Sequence, residues 1–193
     1  MTLEQIKKLR ERTGAGIVEV KKALVEAEGD ENKAIEILKK KGLEKAGKKS
    51  ERTTQEGVVV SYIHSNGRVG AMVKLLSETD FVARNDEFQT LARDIAMHIT
   101  AMNPKYIRPE DVDADLVEKE KEIWVEQLKR DGKPENIMTK IISGKEKKFR
   151  EDLALLTQAY VKNPDQTVDE LIKTHIGKIG ENIQVGDFAR LEL

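Results

Sequence analysis

The sequence predicts an α+β fold: an N-terminal three-helix bundle linked to a core in which a small antiparallel sheet, a hairpin plus the C-terminal strand, is covered by helices. Three observations carry this expectation. Residues 1–42 hold three apolar stripes at helical spacing, separated by glycine turns. Around Asn66-Gly67 the period changes to that of strands. It returns to that period between Ile183 and Leu193, so the last segment reads as a strand added to the hairpin.

In order, Thr2 and Gln5 have the spacing of a capping box, and Leu3, Ile6 and Leu9 line one face until Thr13-Gly14 stops the first helix. A glycine turn, Gly14-Ala15-Gly16, leads to a second stripe of Val20, Ala23, Leu24 and Ala27 that ends at Gly29. Asp30 is an N-cap for a third helix carrying Ala34, Ile35 and Leu38, which Gly42 is expected to close. A bundle of this size is marginally stable alone, which suits a docking module over 1–42. Residues 43–56 read as a charged linker, and net charge changes from +4 over 1–50 to −5 over the remainder.

The core is expected over 57–193. Val58, Val59, Val60, Tyr62 and Ile63 lead to Asn66-Gly67 and on to Val69–Leu76, a hairpin over 57–76. Phe88, Leu91, Ile95, Ile99 and Met102 form a helix stripe over 86–102, stopped by Asn103-Pro104, and this helix is the expected cover of the hairpin. A charged helical region spans 115–160, broken at Gly132-Pro134 and ended by Asn163-Pro164, with Trp124 either buried in its own domain or anchoring a partner. Thr167 and Glu170 have capping-box spacing before a last helix, which together with the C-terminal strand occupies 168–193.

Composition narrows the function classes. Among 193 residues there is no cysteine, which excludes disulfides, thiolate metal sites and cysteine nucleophiles. Charged residues reach 36%, against a usual share of about 25%, yet 34 basic and 35 acidic side chains nearly cancel, unlike a nucleic-acid polyelectrolyte. The longest apolar run, Leu153–Leu156, is far below the ~20 residues of a membrane-spanning helix. The first twelve residues lack the pattern of a signal or transit peptide, so the expected location is cytoplasmic.

No catalytic constellation is apparent, and the expectation is a protein that is not an enzyme and carries no cofactor or metal of its own. His64, His98 and His175 have no ligand-type spacing and read as surface or half-buried imidazoles. Gly14-Ala15-Gly16 and Gly177-Lys178-Ile179-Gly180 both lack the strand and the Lys-Ser/Thr of a phosphate loop. The lysine run from Lys39 to Lys49 has no interleaved aromatic residues for base stacking, so it reads as a solvated linker. One segment stands apart: Thr79-Asp80-Phe81-Val82-Ala83-Arg84-Asn85, between a strand and a helix. Phe81 there is either a plug over the hairpin, with Asp80 as a cap, or half of a polar and apolar wedge aimed at a partner.

This segment resembles the signature of the bacterial elongation factor Ts family, the nucleotide exchange factors of the GTPase elongation factor Tu. Leu9 to Gly16 followed by Lys21-Lys22-Ala23-Leu24 is similar to the family's N-terminal module, and so are Asp94 to His98, Met102-Asn103-Pro104 and Tyr160 to Pro164 to later motifs. The chain departs from the family at Val20, where many members have Cys, and at Ala159-Tyr160, where Pro-Phe is usual. Longer members carry a duplicated core and a coiled-coil insertion, and 193 residues have room for one core unit.

The resemblance implies an N-terminal ubiquitin-associated-like bundle that docks on elongation factor Tu through the stretch holding Arg10, Arg12, Thr13, Gly14, Ala15, Gly16, Lys21 and Lys22. It implies that Thr79, Asp80, Phe81 and Val82 disturb the GTPase's magnesium and phosphate site, with Ala83, Arg84 and Asn85 in support. The partner is then the GTPase, with no direct nucleotide binding, no nucleic acid and no membrane, and a homodimer is compatible with it. Rival classes are a helical adaptor and an RNA-binding translation protein without exchange activity.

Overall fold

Thr2 opens the chain's first helix as its spacing predicts. In the computed structural model, which describes residues 2–193, its hydroxyl accepts from Gln5 N at 3.2 Å and Gln5 Oε1 accepts from Thr2 N at 2.9 Å. Helix α1 (Leu3–Thr13) ends at Gly14, whose φ of 67° is the left-handed conformation that glycine adopts without strain. Helix α2 (Ile17–Glu26) and helix α3 (Glu31–Gly47) complete the bundle, with Asp30 Oδ1 capping α3 through Asn32 N and Lys33 N. Ile6, Leu9, Val20, Ala23, Leu24, Ala27, Ala34 and Leu38 form its buried core.

The sequence places the end of α3 at Gly42, and the structure corrects this. The helix continues to Gly47 and buries Ala46. Gly42 lies inside the helix, and the close approach beside it is that of Gly177, where a Cβ would lie 3.4 Å from Gly42 Cα. The stretch expected to be a linker is therefore helical through Gly47. Beyond it, Lys49 Nζ donates to the Gly180 carbonyl, and the carbonyls of Ser50 and Arg52 accept from the Asn182 amide at 3.3 and 2.7 Å.

Strands β1 (Glu56–Ile63) and β2 (Val69–Ser77) form the hairpin. After β2 come a single helical turn, α4 (Asp80–Ala83), and a long helix, α5 (Asp86–Met102). The hairpin loop has Gly67 at φ 64° and Asn66 Oδ1 accepting from Arg68 N at 3.0 Å. Ala71, Val73, Leu75 and Ser77 of β2 are buried, while the alternate Met72 and Lys74 are exposed. Helix α5 buries Phe88, Leu91, Ala92, Ile95, Ala96 and Ile99. Backbone contact is closest at Gly57 (φ 153°), where a Cβ would press on the Leu75 carbonyl oxygen and come within 2.9 Å of Leu76 Cα.

The chain continues through α6 (Ala114–Arg130) and α7 (Glu135–Leu153), then short strands β3 (Ala159–Tyr160) and β4 (Asn163–Thr167), helix α8 (Val168–Ile179) and strand β5 (Ile183–Glu192). The antiparallel three-stranded sheet has the order β1-β2-β5, so the C-terminal strand does join the hairpin, beside β2. Ile183 and Val185 are its buried residues; Leu191 and Leu193, which alternate as predicted, are exposed. Contacts group the chain into two compact units: Met1–Ser61, Met72–Asp94 and Glu170–Ala189 make one, and Tyr62–Ala71, Ile95–Asp169 and Arg190–Leu193 the other.

In the second unit α6 and α7 pair through Trp124, which stands edge-on to Phe149 at 5.7 Å with Lys145 Nζ 5.8 Å from its ring centre. The Trp is buried. The helical reading to Tyr160 is corrected: α7 stops at Leu153, and Tyr160 lies in β3, paired with Asn163 of β4. The reason is polar. Thr157 Oγ1 donates to Glu151 O at 2.6 Å and Ala154 O at 3.0 Å, occupying carbonyls at the helix end, and His98 then holds the exit. His98 Nδ1 accepts from Val161 N at 3.2 Å, so the proton sits on Nε2, 3.1 Å from Gln158 Oε1.

Two outcomes follow for stability. Gly57→Ala is expected to lower stability by about 2 kcal/mol or more, since strain and overlap with backbone cannot relax at a flexible side-chain tip, and denaturant unfolding checks it. His98 is fully buried, and desolvation holds its pKa below the ordinary value, against the raising effect of Gln158. The unfolded chain therefore takes up a proton at about pH 6.5 while the native imidazole stays neutral, and stability falls as pH drops below that value, by up to ~1.4 kcal/mol per pH unit until the native group also protonates. Unfolding midpoints between pH 7 and 5 should show this slope, and His98→Gln, which has no proton to gain, should flatten it.

Candidate functional site

Thr79 ends the extended chain after β2 and caps α4, its hydroxyl accepting from Val82 N at 3.5 Å. The segment is thus a capped helical turn, where the sequence predicts an open loop, and the cap is Thr79, with Asp80 the first helical residue. Ala83 points inward and is buried, and Asn85 starts α5 by accepting from Glu87 N at 2.8 Å and Phe88 N at 3.4 Å. Asp80 pairs with Arg84 at 3.0 Å on the outer side. Between them Phe81 is 80% exposed. The buried phenylalanine is a different residue: Phe88, in the first turn of α5, is fully buried.

A phenylalanine this exposed leaves most of its apolar surface in water, a cost that burial against another molecule would relieve. The carboxylate beside it can accept hydrogen bonds from that molecule. Asp80 and Phe81 are therefore adjacent, outward-facing and set on a short turn that Thr79 caps and that the Asn85 cap of α5 follows.

The second motif lies on the bundle. Thr13 Oγ1 donates to Leu9 O at 2.6 Å and accepts from Ala15 N at 3.3 Å, which tightens the exit of α1. Gly14 is needed twice, for its positive φ and because the stem of Lys178 would lie 2.6 Å from any Cβ there. Gly16 is the N-cap of α2, and Ala15 packs against the bundle core. Arg10, Arg12, Lys21 and Lys22 are exposed, and so are two apolar neighbours on α2 that periodicity did not single out, Val18 at 64% and Val25 at 69%. Of the lysine run, Lys41 pairs with Glu26 at 2.6 Å, Lys45 pairs with Glu19, and Lys49 is bonded to the Gly180 carbonyl. Lys45 also holds the Glu19 carboxyl below its usual range.

Sequence reasoning missed the segment that carries both motifs. Lys178 lies over Gly14 and its Nζ is 3.6 Å from Glu87; Glu181 accepts from Thr79; Asn182 N donates to Glu78 Oε1 at 2.6 Å. The signal available was weak: two polar residues, Glu181 and Asn182, directly before an apolar strand. Asn182 is in fact almost wholly buried. Among the described residues no group of three or more His, Asp or Glu is placed to hold a metal ion, and no helix is long and apolar enough to cross a membrane.

Comparison with known proteins gives a single answer over nearly the whole chain. The family model described as elongation factor TS matches residues 6–193. Relatives named elongation factor Ts include that of Fervidobacterium nodosum, 51% identical over 193 residues and covering 100% of this chain and 98% of its own length. Those of Thermotoga maritima and Carboxydothermus hydrogenoformans are 52% and 51% identical over 193 residues, with 96% and 89% of their lengths covered. The chain and these relatives are of similar length. The capped turn bearing Asp80 and Phe81 and the glycine turn of the bundle stand within this full-length match, and the chain belongs to the elongation factor Ts family of translation elongation factors.

Proposed function

We propose that the protein binds the GDP form of elongation factor Tu and promotes GDP release, letting GTP rebind. The exposure of Phe81 on a capped turn, beside the Asp80 carboxylate, is the observation that supports this most directly. A P-loop GTPase holds GDP by backbone N–H groups around the phosphates and by Mg²⁺ bridging oxygen ligands. An aromatic ring pushed between the elements that support those ligands, with a carboxylate competing for their hydrogen bonds, displaces the metal and uncovers phosphate repulsion. Nucleotide affinity then falls, and by linkage nucleotide weakens the factor in the same ratio, so incoming GTP drives it off. No covalent bond changes, which agrees with a protein that is no enzyme in the usual sense and acts in the cytoplasm beside its GTPase.

In this reading the bundle, extended to Gly47, is the docking module. Val18 and Val25 supply apolar area and Lys21 and Lys22 a basic rim, with Arg10 and Arg12 on the adjoining helix. In this scheme the lysine run is not a binding site, and Lys41, Lys45 and Lys49 each bond within the protein.

Release of labelled GDP from elongation factor Tu tests the proposal. Phe81→Ala should slow stimulated release by roughly tenfold or more while changing the factor's own stability by under about 1 kcal/mol, whereas Phe88→Ala should cost ~3–5 kcal/mol of stability. Asp80→Ala should slow release in the same direction, less than additively with Phe81→Ala, and cost at most about 1 kcal/mol through the exposed Arg84 pair. A destabilised Phe81→Ala protein with normal release per folded molecule would refute the wedge. For the bundle, Val18→Glu with Val25→Glu should weaken complex formation by roughly tenfold or more without lowering the thermal midpoint. Salt-sensitive RNA binding lost in Lys45→Ala with Lys49→Ala would favour the rival translation-protein reading.

A further inference from the structure

A four-residue helical turn does not hold itself, because helix nucleation fixes several residues for a single hydrogen bond. The turn carrying Asp80 and Phe81 is held from outside. Glu181 Oε2 accepts from Thr79 N at 3.0 Å, and Glu181 Oε1 accepts from the Thr79 hydroxyl at 2.7 Å. With its proton committed to Glu181, the hydroxyl oxygen turns its lone pairs toward Val82 N, which it caps. Ser77 Oγ donates to Thr79 O at 3.0 Å and fixes the same residue from its other side.

Glu181 is itself placed by its two neighbours in sequence. The Gly180 carbonyl accepts from Lys49 Nζ, and the backbone and side chain of Asn182 donate to Glu78, Ser50 and Arg52. Its backbone is thus anchored on both sides while its carboxylate reaches out to Thr79, so the orientation of the turn is set by a residue 102 positions away in the chain.

We propose that Glu181 is a positioning residue for nucleotide exchange: by accepting hydrogen bonds from both the N–H and the hydroxyl of Thr79 it holds the Asp80–Phe81 turn in the one orientation in which the ring and the carboxylate reach the GTPase together. This rests on the reading of Phe81 as the releasing group. A wedge acts only in the geometry where it meets its target, and a turn free to rotate spends most encounters elsewhere. Loss of Glu181 therefore lowers the release rate of the formed complex more than it lowers affinity, because the docking surface on the bundle is untouched.

The full-length protein tests this in two measurements. In amide hydrogen exchange on the free factor, Glu181→Ala should raise exchange at residues 79–83 by roughly tenfold or more, leave the amides of α5 unchanged, and be partly rescued by Glu181→Gln, which keeps one acceptor. In GDP release from elongation factor Tu, the same Glu181→Ala should slow the saturated rate by roughly fivefold or more with less than about a twofold change in the half-saturating concentration. It should add nothing in a Phe81→Ala background. Unchanged protection at 79–83 overturns the proposal, and so does equal slowing with and without Phe81, the mark of a merely structural residue. Normal release by Phe81→Ala alone would instead overturn the exchange reading, and the exchange of amides 79–83 would still decide whether Glu181 holds the turn.

Discussion

Two consecutive residues, Glu181 and Asn182, satisfy backbone groups that no helix or sheet provides for. The Asn182 amide supplies donors to the carbonyls of Ser50 and Arg52, which lie past the end of α3 and before β1. Glu181 takes the free N–H and hydroxyl of Thr79, past the end of β2. Unpaired polar groups at such sites would each cost on the order of 1–3 kcal/mol if buried. No buried polar side-chain atom among the described residues lacks a hydrogen-bond partner. The corner lets the chain leave the bundle, enter the hairpin and present α4 without that cost.

Around this corner the protein separates stability from display. Phe88 and Phe81 are one residue type, seven positions apart, and their environments are opposite: the first is fully buried in α5, the second is 80% exposed on α4. Apolar burial rewards the first with a few kcal/mol. The second is tolerated because α4 is short, capped by Thr79, followed directly by the Asn85 cap, and secured by buried Ala83. Display on a capped turn is cheap in conformational entropy compared with display on a mobile loop.

The second unit shows how a buried titratable group can organise irregular chain. His98 replaces the hydrogen bonds that Val161 N and the Gln158 amide would otherwise seek in water, and its ring lies 6.1 Å from that of Tyr160. Arg150 does similar work on the surface of α7, donating to the carbonyls of Pro109 and Val112 while pairing with Glu146 at 3.0 Å. Glu146 also meets Lys121 of α6 at 2.9 Å, and this pair holds the carboxyl below and the amine above their usual ranges. The charged character of the helical region is therefore used between α6 and α7 as well as toward solvent.

Periodicity by itself determined the three helices of the bundle, the hairpin about Asn66-Gly67, the bounds of α5 and the strand nature of the C-terminus, because each is a local pattern of apolar residues with its own stop signal. It also isolated Thr79–Asn85 as a segment unlike its surroundings. What only the tertiary structure decided were the choices that depend on distant neighbours. Gly42 would end a helix in isolation, yet it lies within α3, which runs on to Gly47 and buries Ala46. Tyr160 keeps helical spacing with Phe149 and Leu153, yet the Thr157 and His98 hydrogen bonds turn the chain into β3. Phe81 could face inward or outward by sequence alone, and it faces outward on a turn whose capping residue, Thr79, is bonded to Glu181: a side chain's burial follows from the orientation of its backbone, and here that backbone meets a carboxylate that no local window contains.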